Sequence, residues 1–320
     1  MSEIEEKQFN TGEITINYAV GPDNGPPLVL IPGQGADWTN YQNSIPLLIN
    51  DFQVYAVDVR GHGRSDWKTG DYSWNSIGRD MSAFLEQVVK EPAIISGNSS
   101  GGLIALWLAV NKPESVRAII LEDPPLFSAE WPRIKQEYVY KVLQISVDMS
   151  HELTNSRSIG GLARTFTKIS RPLENGKIRK IPRSAAYFIS FLIRASQKLK
   201  GGKPSLPGTL GKILEVMTTY DPDFSQAFVD GRIYEGLDHA DALQRSERPM
   251  LLIHANWHRH PEYGLVGAMD DDDAARAREL SPEMKFKRID SVHVIHSHNP
   301  EVYAEAVLEF VGQLISSQLH

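Results

Sequence analysis

One short stretch, residues 94–102 with the sequence IISGNSSGG, constrains the fold of this chain more than any other feature. It continues an apolar strand pattern, contains a G-x-S-x-G turn and leads directly into a helical pattern, an arrangement called a nucleophile elbow. Such a turn strains its central residue and brings strand and helix so close that the residues two before and two after must be small. Gly97 and Gly101 meet this requirement for Ser99, whereas the other two serines of the stretch lack such neighbours. The spacing therefore selects Ser99 as the presented hydroxyl.

Short apolar strands alternate with helical patterns on both sides of this turn, which is typical of a parallel sheet built from βαβ units. Buried strands are predicted at 28–31, 54–57, 93–95, 118–121, 249–254 and 285–289. Alternating polarity at 13–20 predicts an exposed antiparallel edge strand. The predicted fold class is therefore α/β, with a mostly parallel central sheet flanked by helices.

The middle of the chain departs from this alternation. Helical periodicity appears at 138–147 and 185–199, without a strand signal of comparable strength. The length of 320 residues suits one large domain that carries an insertion. We therefore predict a core formed by residues 1–125 and 246–320, and a helical cap, residues 126–245, inserted between core strands.

Composition excludes several classes of protein. The chain has no Cys, so disulfides, a thiolate nucleophile and Cys-ligated metals are excluded. It has no apolar run of about 18 residues, and its N-terminus is acidic where a signal peptide would be basic and then apolar. We therefore expect a cytoplasmic protein that binds neither membrane nor nucleic acid.

The net charge of −7 conceals an asymmetry. Residues 131–212 contain 16 Lys and Arg against 4 Asp and Glu, so this segment carries +12 and the remainder −19. The segment could attract an anionic ligand or nucleic acid. We favour charge complementarity across an intramolecular or subunit interface, because the basic residues are scattered and no nucleic-acid-binding motif accompanies them. Because the interface could lie between subunits, the formation of a homo-oligomer stays an open alternative.

A serine hydroxyl needs a base within hydrogen-bond reach, usually a histidine steadied by a carboxylate. In elbow enzymes the chain order is Ser, acid, His, so the histidine is expected in the loop after the last strand. That loop, 290–300, contains His293, His296 and His298. We predict His293 as the base because it comes first after the strand, and we interpret the other two as capping or surface residues.

The acid can follow the strand after the serine-bearing helix, or lie one strand later. The first position offers Glu122 and Asp123, and the second has no carboxylate until Glu262. Asp123 is preferred because it stands at the carboxyl end of the strand, before Pro124 stops it. Glu122 is the alternative, and an Asp before Pro is also an ordinary turn former.

Acyl transfer also needs donors for an oxyanion. One should be the backbone N–H of Ser100, and the other, by position, that of Gln34 in the glycine-rich loop 31–37. This loop has neither the Walker nor the dinucleotide glycine spacing. The acidic run 270–273 is interpreted as a helix N-terminus rather than a cation site. We expect no metal and no organic cofactor.

These motifs together resemble the α/β-hydrolase fold family over nearly the full chain. Residues 57–65, VDVRGHGRS, are similar to the family's loop after the fourth strand, and an Asn-Pro-Glu follows the predicted histidine loop. Within the family, the chain is most similar to bacterial zearalenone lactonases, which open a macrocyclic ester. The stretches that carry this similarity are 97–102, 122–125, 220–222 and 265–275. The resemblance implies an acid after the serine-bearing unit; the sequence Pro-Gly-Gln at 32–34 departs from the family's common His-Gly.

The predicted chemistry is hydrolysis of a carboxylic ester, and of a lactone in particular, through an acyl-enzyme. The small-molecule substrate is expected between core and cap, against Gly33, Trp38, Trp131, Tyr187, Phe188 and Phe191. Two alternatives stay open. A carbon–carbon bond hydrolase or a hydroxynitrile lyase could use the same triad, and a ligand receptor could keep the triad with slow turnover.

Overall fold

The computed structural model describes residues 4–199, 204, 206–208, 211, 214 and 219–318. The strands in chain order are β1 (Glu5–Asn10), β2 (Thr15–Val20), β3 (Pro27–Ile31), β4 (Gln53–Val57), β5 (Ala93–Asn98), β6 (Val116–Glu122), β7 (Ser170–Pro172), β8 (Ile178–Lys180), β9 (Met250–His254), β10 (His258–His260), β11 (Gly264–Val266) and β12 (Lys285–Arg288). The longer helices are Trp74–Phe84, Ser100–Asn111, Tyr138–Asn155, Ile159–Lys168, Arg183–Leu199, Pro222–Asp230, His239–Arg245, Asp271–Leu280 and Pro300–Gln318.

The described strands form one central sheet of eight, in the order β1-β2-β4-β3-β5-β6-β9-β12. Pairing is antiparallel from β1 through β2 to β4 and parallel from β4 onward. The predicted mostly parallel α/β sheet is confirmed. Because parallel strands end at the same edge, the loops after β3, β5, β6, β9 and β12 converge there.

The sheet is buried on both faces, which explains the continuous apolar runs of its inner strands. Neighbouring residues of β5 face opposite sides: Ile95 lies in the cluster beneath the helix Ser100–Asn111, and Ile94 in the cluster beneath the helix Pro300–Gln318. Both side chains are fully buried. This double packing holds the turn after β5 between rigid layers.

The expectation of an edge strand at 13–20 is wrong. The strand β2 is the second of the sheet, because β1 pairs with it along its full length and forms the edge. The polar residue Asn17, which produced the apparent alternation, is buried and donates to Asp58 at 2.9 Å. A buried amide with a carboxylate partner is therefore indistinguishable by pattern from a solvent-facing residue.

The predicted cap contains helices and also a small hairpin of β7 and β8, which the sequence pattern did not predict. Its helices Tyr138–Asn155, Ile159–Lys168 and Arg183–Leu199 share a separate apolar cluster. Phe224 and Phe228, further along, belong to the main core cluster instead. Within the predicted cap, residues 200–203, 205, 209, 210, 212, 213 and 215–218 lie outside the described residues.

Arg133 of the predicted cap forms ion pairs with the core. Arg133 contacts both oxygens of Asp273, at 2.5 and 2.8 Å. Asp273 belongs to the acidic run 270–273, where Asp270 accepts from the Asp273 backbone N–H at 2.9 Å and caps the helix Asp271–Leu280. The interpretation of this run as a helix N-terminus is confirmed. Among the described helices, none combines the length and the apolar character that crossing a membrane requires.

Candidate active site

Ser99 occupies the sharp turn between β5 and the helix Ser100–Asn111. Its φ of 54° and ψ of −121° are a strained conformation for a residue with a side chain. A Cβ on Gly97 would lie 2.1 Å from the carbonyl oxygen of Gly101, and one on Gly101 would lie 2.2 Å from that of Ile31. Both glycines are therefore required by the close approach of strand, turn and helix.

We expect the substitution Gly101→Ala to lower the free energy of unfolding by about 1–3 kcal/mol, because the added methyl group overlaps a backbone oxygen. Urea unfolding measures the change. The matched control is Gly312→Ala, in a helix where an added Cβ meets open space, and it should leave stability unchanged or slightly higher. Equal stability of wild type and Gly101→Ala would contradict the packing of the turn.

Asp123 follows β6 directly and contacts the imidazole of His293. The distance from His293 Nδ1 to Asp123 Oδ2 is 2.7 Å. The other carboxylate oxygen, Oδ1, accepts from the backbone N–H of Ala255 at 3.0 Å and lies 3.2 Å from Nδ1 of His254. Asp123 is only 1% exposed, so these donors replace the water that a buried carboxylate loses.

Glu122, the alternative acid, belongs to a different pair. Its Oε2 lies 2.7 Å from Nδ1 of His296, and its Oε1 accepts from the His296 backbone N–H at 2.9 Å. Successive residues at a strand end point to opposite sides, which separates Glu122 from Asp123. The interpretation of His296 as a capping or surface residue is wrong, because its side chain is fully buried against Glu122, Asn40 and the ring of Tyr41. His298 is exposed, as expected.

Three hydrogen bonds join the Ser99 turn to its neighbours, one to the His293 loop and two to the end of β6. Asn98 Nδ2 donates to the carbonyl oxygens of His293, at 3.1 Å, and of Glu122, at 3.3 Å. The backbone N–H of Ser99 donates to that same Glu122 oxygen at 2.9 Å. Within the described residues, Ser99 Oγ and His293 Nε2 form no hydrogen bond with each other. Because Nδ1 faces Asp123, Nε2 is the ring nitrogen left to accept a proton, and 38% of the side chain is exposed.

The loop after β3 approaches Ser99 closely. A Cβ on Gly33 would lie 3.0 Å from the Ser99 Cβ, so a larger residue there would crowd the Ser99 side chain. In the part of the chain that the structure describes, the backbone N–H groups of Gln34 and Ser100 have no hydrogen-bond acceptor. The Gln34 side chain is held elsewhere, since its Nε2 donates to Tyr220 Oη and Ser225 Oγ, both at 2.8 Å. The loop therefore offers backbone donors, while the Gln34 side chain anchors it to Tyr220 and Ser225 of the predicted cap.

Electrostatics keep this acid charged and strengthen its histidine as a base. Burial alone would raise the pKa of Asp123, but hydrogen bonds from His254 and His293 outweigh it, so the pKa lies below its ordinary value. Burial lowers the pKa of His293, but the hydrogen bond and charge of Asp123 outweigh that effect, so the pKa lies above its ordinary value.

The aromatic residues predicted to line a pocket lie at several places. Tyr187, Phe188 and Phe191 stand on the solvent-exposed side of the helix Arg183–Leu199, whose opposite side packs into the cap cluster. Trp131 is also exposed, with Lys135 Nζ 3.7 Å from its ring centroid. No described ring contact or hydrogen bond links these four residues to Ser99 or His293. Their role in binding stays a prediction.

Trp38, the remaining aromatic of that set, lies in the loop beyond Gly33. Its indole N–H donates to Glu6 Oε1 at 3.2 Å, and its backbone N–H donates to Asp58 Oδ1 at 2.7 Å. The indole is therefore turned toward β1 and packs at the margin of the core. Contact with a substrate stays a prediction for Trp38 as well.

Sequence reasoning missed two histidines of this site, His254 and His296. His254 ends the buried strand β9 and contacts Asp123. The sequence pattern identifies it only as part of an apolar strand. A polar residue at the carboxyl end of a buried strand is a signal that could have identified it.

Comparisons with known proteins agree with this fold. The family model of the alpha/beta hydrolase fold matches residues 26–167. The enol-lactonase from Burkholderia xenovorans superposes with a TM-score of 0.64 at 15% identity, over 96% of this chain and 100% of that one. The chain therefore has the alpha/beta hydrolase fold.

Two curated relatives are similar over part of the chain. The 3-oxoadipate enol-lactonase 2 of Acinetobacter baylyi is 31% identical over 112 residues, 35% of this chain. The pimeloyl-(acyl-carrier protein) methyl ester esterase of Yersinia pseudotuberculosis is 37% identical over 113 residues, 34% of this chain. The chain spans 42% of the length of each. The chain thus has the alpha/beta hydrolase fold, with partial sequence similarity to an enol-lactonase and an esterase.

Proposed function

We propose that this protein is a serine hydrolase that cleaves carboxylic esters, and a macrocyclic lactone of the zearalenone type in particular. The observation that carries the proposal is the 2.7 Å pair of Asp123 and His293 beside the strained turn of Ser99. Relatives named as an enol-lactonase and an esterase support ester hydrolysis. The resemblance of residues 97–102 and 122–125 to bacterial zearalenone lactonases supports the macrocyclic substrate.

In the proposed acylation step, Ser99 Oγ attacks the ester carbonyl while His293 Nε2 takes its proton. Asp123 holds the Nδ1–H tautomer and stabilises the imidazolium that forms. The backbone N–H groups of Gln34 and Ser100 donate to the oxyanion. The tetrahedral intermediate collapses, and His293 returns the proton to the leaving alkoxide, which in a lactone stays attached to the acyl group.

In the proposed deacylation step, water takes the place of the alcohol. His293 removes a proton from this water as its oxygen attacks the acyl carbon, and then returns the proton to Ser99. An ester yields an acid and an alcohol, whereas a lactone yields one hydroxy acid. The product of a lactone is therefore a single molecule that is heavier than the substrate by one water.

A substrate panel tests the proposal. Purified protein is incubated with p-nitrophenyl acetate, with zearalenone and with a simple small-ring lactone, and products are followed by absorbance and mass spectrometry. Repeated turnover with a gain of one water on zearalenone is expected. Turnover of the simple esters alone would contradict the macrocyclic substrate. Stoichiometric capture without turnover would contradict the hydrolase and favour a receptor.

The pH dependence should report the raised pKa of His293. The neutral imidazole is the base, so kcat/KM should be constant at high pH and fall as pH drops through that pKa, which lies above the ordinary value of about 6.5. Initial rates on p-nitrophenyl acetate between about pH 5 and 9 measure this acid limb. A midpoint well below 6.5 would contradict the pairing with Asp123.

A further inference from the structure

The carboxylate of Asp123 is shared between two imidazoles. His293 contacts Oδ2, while His254, the last residue of β9, contacts Oδ1 through Nδ1 at 3.2 Å. His254 is 1% exposed, and like Asp123 it lies where the parallel strands end. The ester hydrolysis proposed above uses only one of these two histidines.

The far side of His254 meets a second carboxylate. Its Nε2 lies 3.2 Å from Oδ1 of Asp271, at the start of the helix Asp271–Leu280. Asp271 is largely exposed, and the same oxygen also accepts from Trp257 Nε1 at 2.8 Å and Arg288 Nη1 at 2.6 Å. Both ring nitrogens of His254 thus face oxygens that can only accept.

We propose that His254 is a positioning residue for the reaction, one that holds the Asp123 carboxylate in its orientation toward His293. This inference rests on the proposed function. Without His254, only the Ala255 N–H would hold Oδ1, and the carboxylate could rotate away from His293. With His254 in place, both carboxylate oxygens are held, and Oδ2 stays 2.7 Å from Nδ1 of His293.

The groups around His254 define what a substitution removes. Asp123 faces it from the end of β6, Asp271 from the helix N-terminus and Arg288 from β12, where it is the register partner of His254. The ring of Phe286, also on β12, lies 6.2 Å away. Replacing the imidazole by an apolar side chain therefore leaves Asp123 with one fewer donor and Asp271 still paired with Arg288.

The test compares two substitutions of this histidine with a matched control. His254→Leu removes the donor to Asp123, whereas His254→Asn keeps an N–H near the position of Nδ1. The control is His258→Asn, which changes a histidine in β10 that makes no hydrogen bond to Asp123 among the described residues. For each protein, kcat and KM are measured against pH on p-nitrophenyl acetate. The titration of the His293 ring is followed by NMR, with His293→Gln used to assign its signals.

We expect His254→Leu to move the acid limb and the His293 titration downward by about one pH unit, because a carboxylate that rotates away from His293 stabilises the imidazolium less. Its kcat should fall about tenfold at unchanged KM, a typical loss when an outer hydrogen-bond partner is removed. His254→Asn should recover most of kcat, and His258→Asn should match wild type. A merely structural role would lower stability without moving the titration.

An unmoved His293 titration in folded His254→Leu overturns the inference, as does an equal shift in the His258→Asn control. This failure is distinguishable from failure of the proposed function. If the protein is not a hydrolase, the wild type itself cleaves no ester at any pH, whereas failure of the His254 role leaves wild-type turnover intact.

Discussion

Replacing Ser99 by alanine should lower kcat on p-nitrophenyl acetate by about 10⁴- to 10⁶-fold, because the attacking oxygen is lost. The residual rate should come from the oxyanion donors and substrate binding alone. The fold should survive, since Ser99 Oγ makes no hydrogen bond among the described residues and alanine fits wherever serine does. Circular dichroism and thermal unfolding establish that the variant is folded before its rate is measured.

The matched control is Ser100→Ala, the next residue along the chain. Ser100 is proposed to act only through its backbone N–H, which alanine retains, so its kcat should stay within a few-fold of wild type. If Ser99→Ala kept wild-type turnover, or if Ser100→Ala lost as much activity, the assignment of the nucleophile would be wrong.

The second large effect is expected from Asp123→Asn, which should lower kcat by about 10⁴-fold. The amide can donate toward Nδ1, which favours the tautomer whose Nε2 carries the proton and cannot act as the base. The imidazolium also loses its counter-charge. Because the amide is nearly the same size as the carboxylate, steady-state rates compare the two proteins without a large change in packing.

Glu122→Gln is the matched variant on the neighbouring residue. It should leave kcat within about tenfold of wild type while lowering the free energy of unfolding by about 1–3 kcal/mol, because an amide has only one oxygen to accept from His296 Nδ1 and from the His296 backbone N–H. Urea unfolding and low-temperature rates separate the two effects. If Glu122→Gln lost more activity than Asp123→Asn, Glu122 would be the acid.

Much of the fold follows from local pattern. The strand, turn and helix around Ser99 could be predicted because only glycine fits the close approach there: a Cβ on Gly97 would lie 2.1 Å from the Gly101 carbonyl oxygen. The parallel strands could be predicted because burial on both faces leaves continuous apolar runs. Both signals lie within a few residues of the chain.

The polar network of the site depends on contacts that no local pattern carries. In the sequence, His296 has the pattern of a surface residue. Only the fold places the buried Glu122 of β6, 174 residues away in sequence, beside it. His254 resembled the polar end of an apolar strand, and its contact with Asp123 arises from pairing between β6 and β9. Such pairs are set by strand order, which sequence periodicity does not specify.

Labelling with a fluorophosphonate, followed by peptide mapping of the adduct, tests the central claim most directly. The account predicts one adduct, on Ser99. The labelling rate should decrease as the pH is lowered and His293 becomes protonated, and it should be strongly reduced in Asp123→Asn. An adduct on a different residue, or equal labelling of wild type and Ser99→Ala, would contradict it.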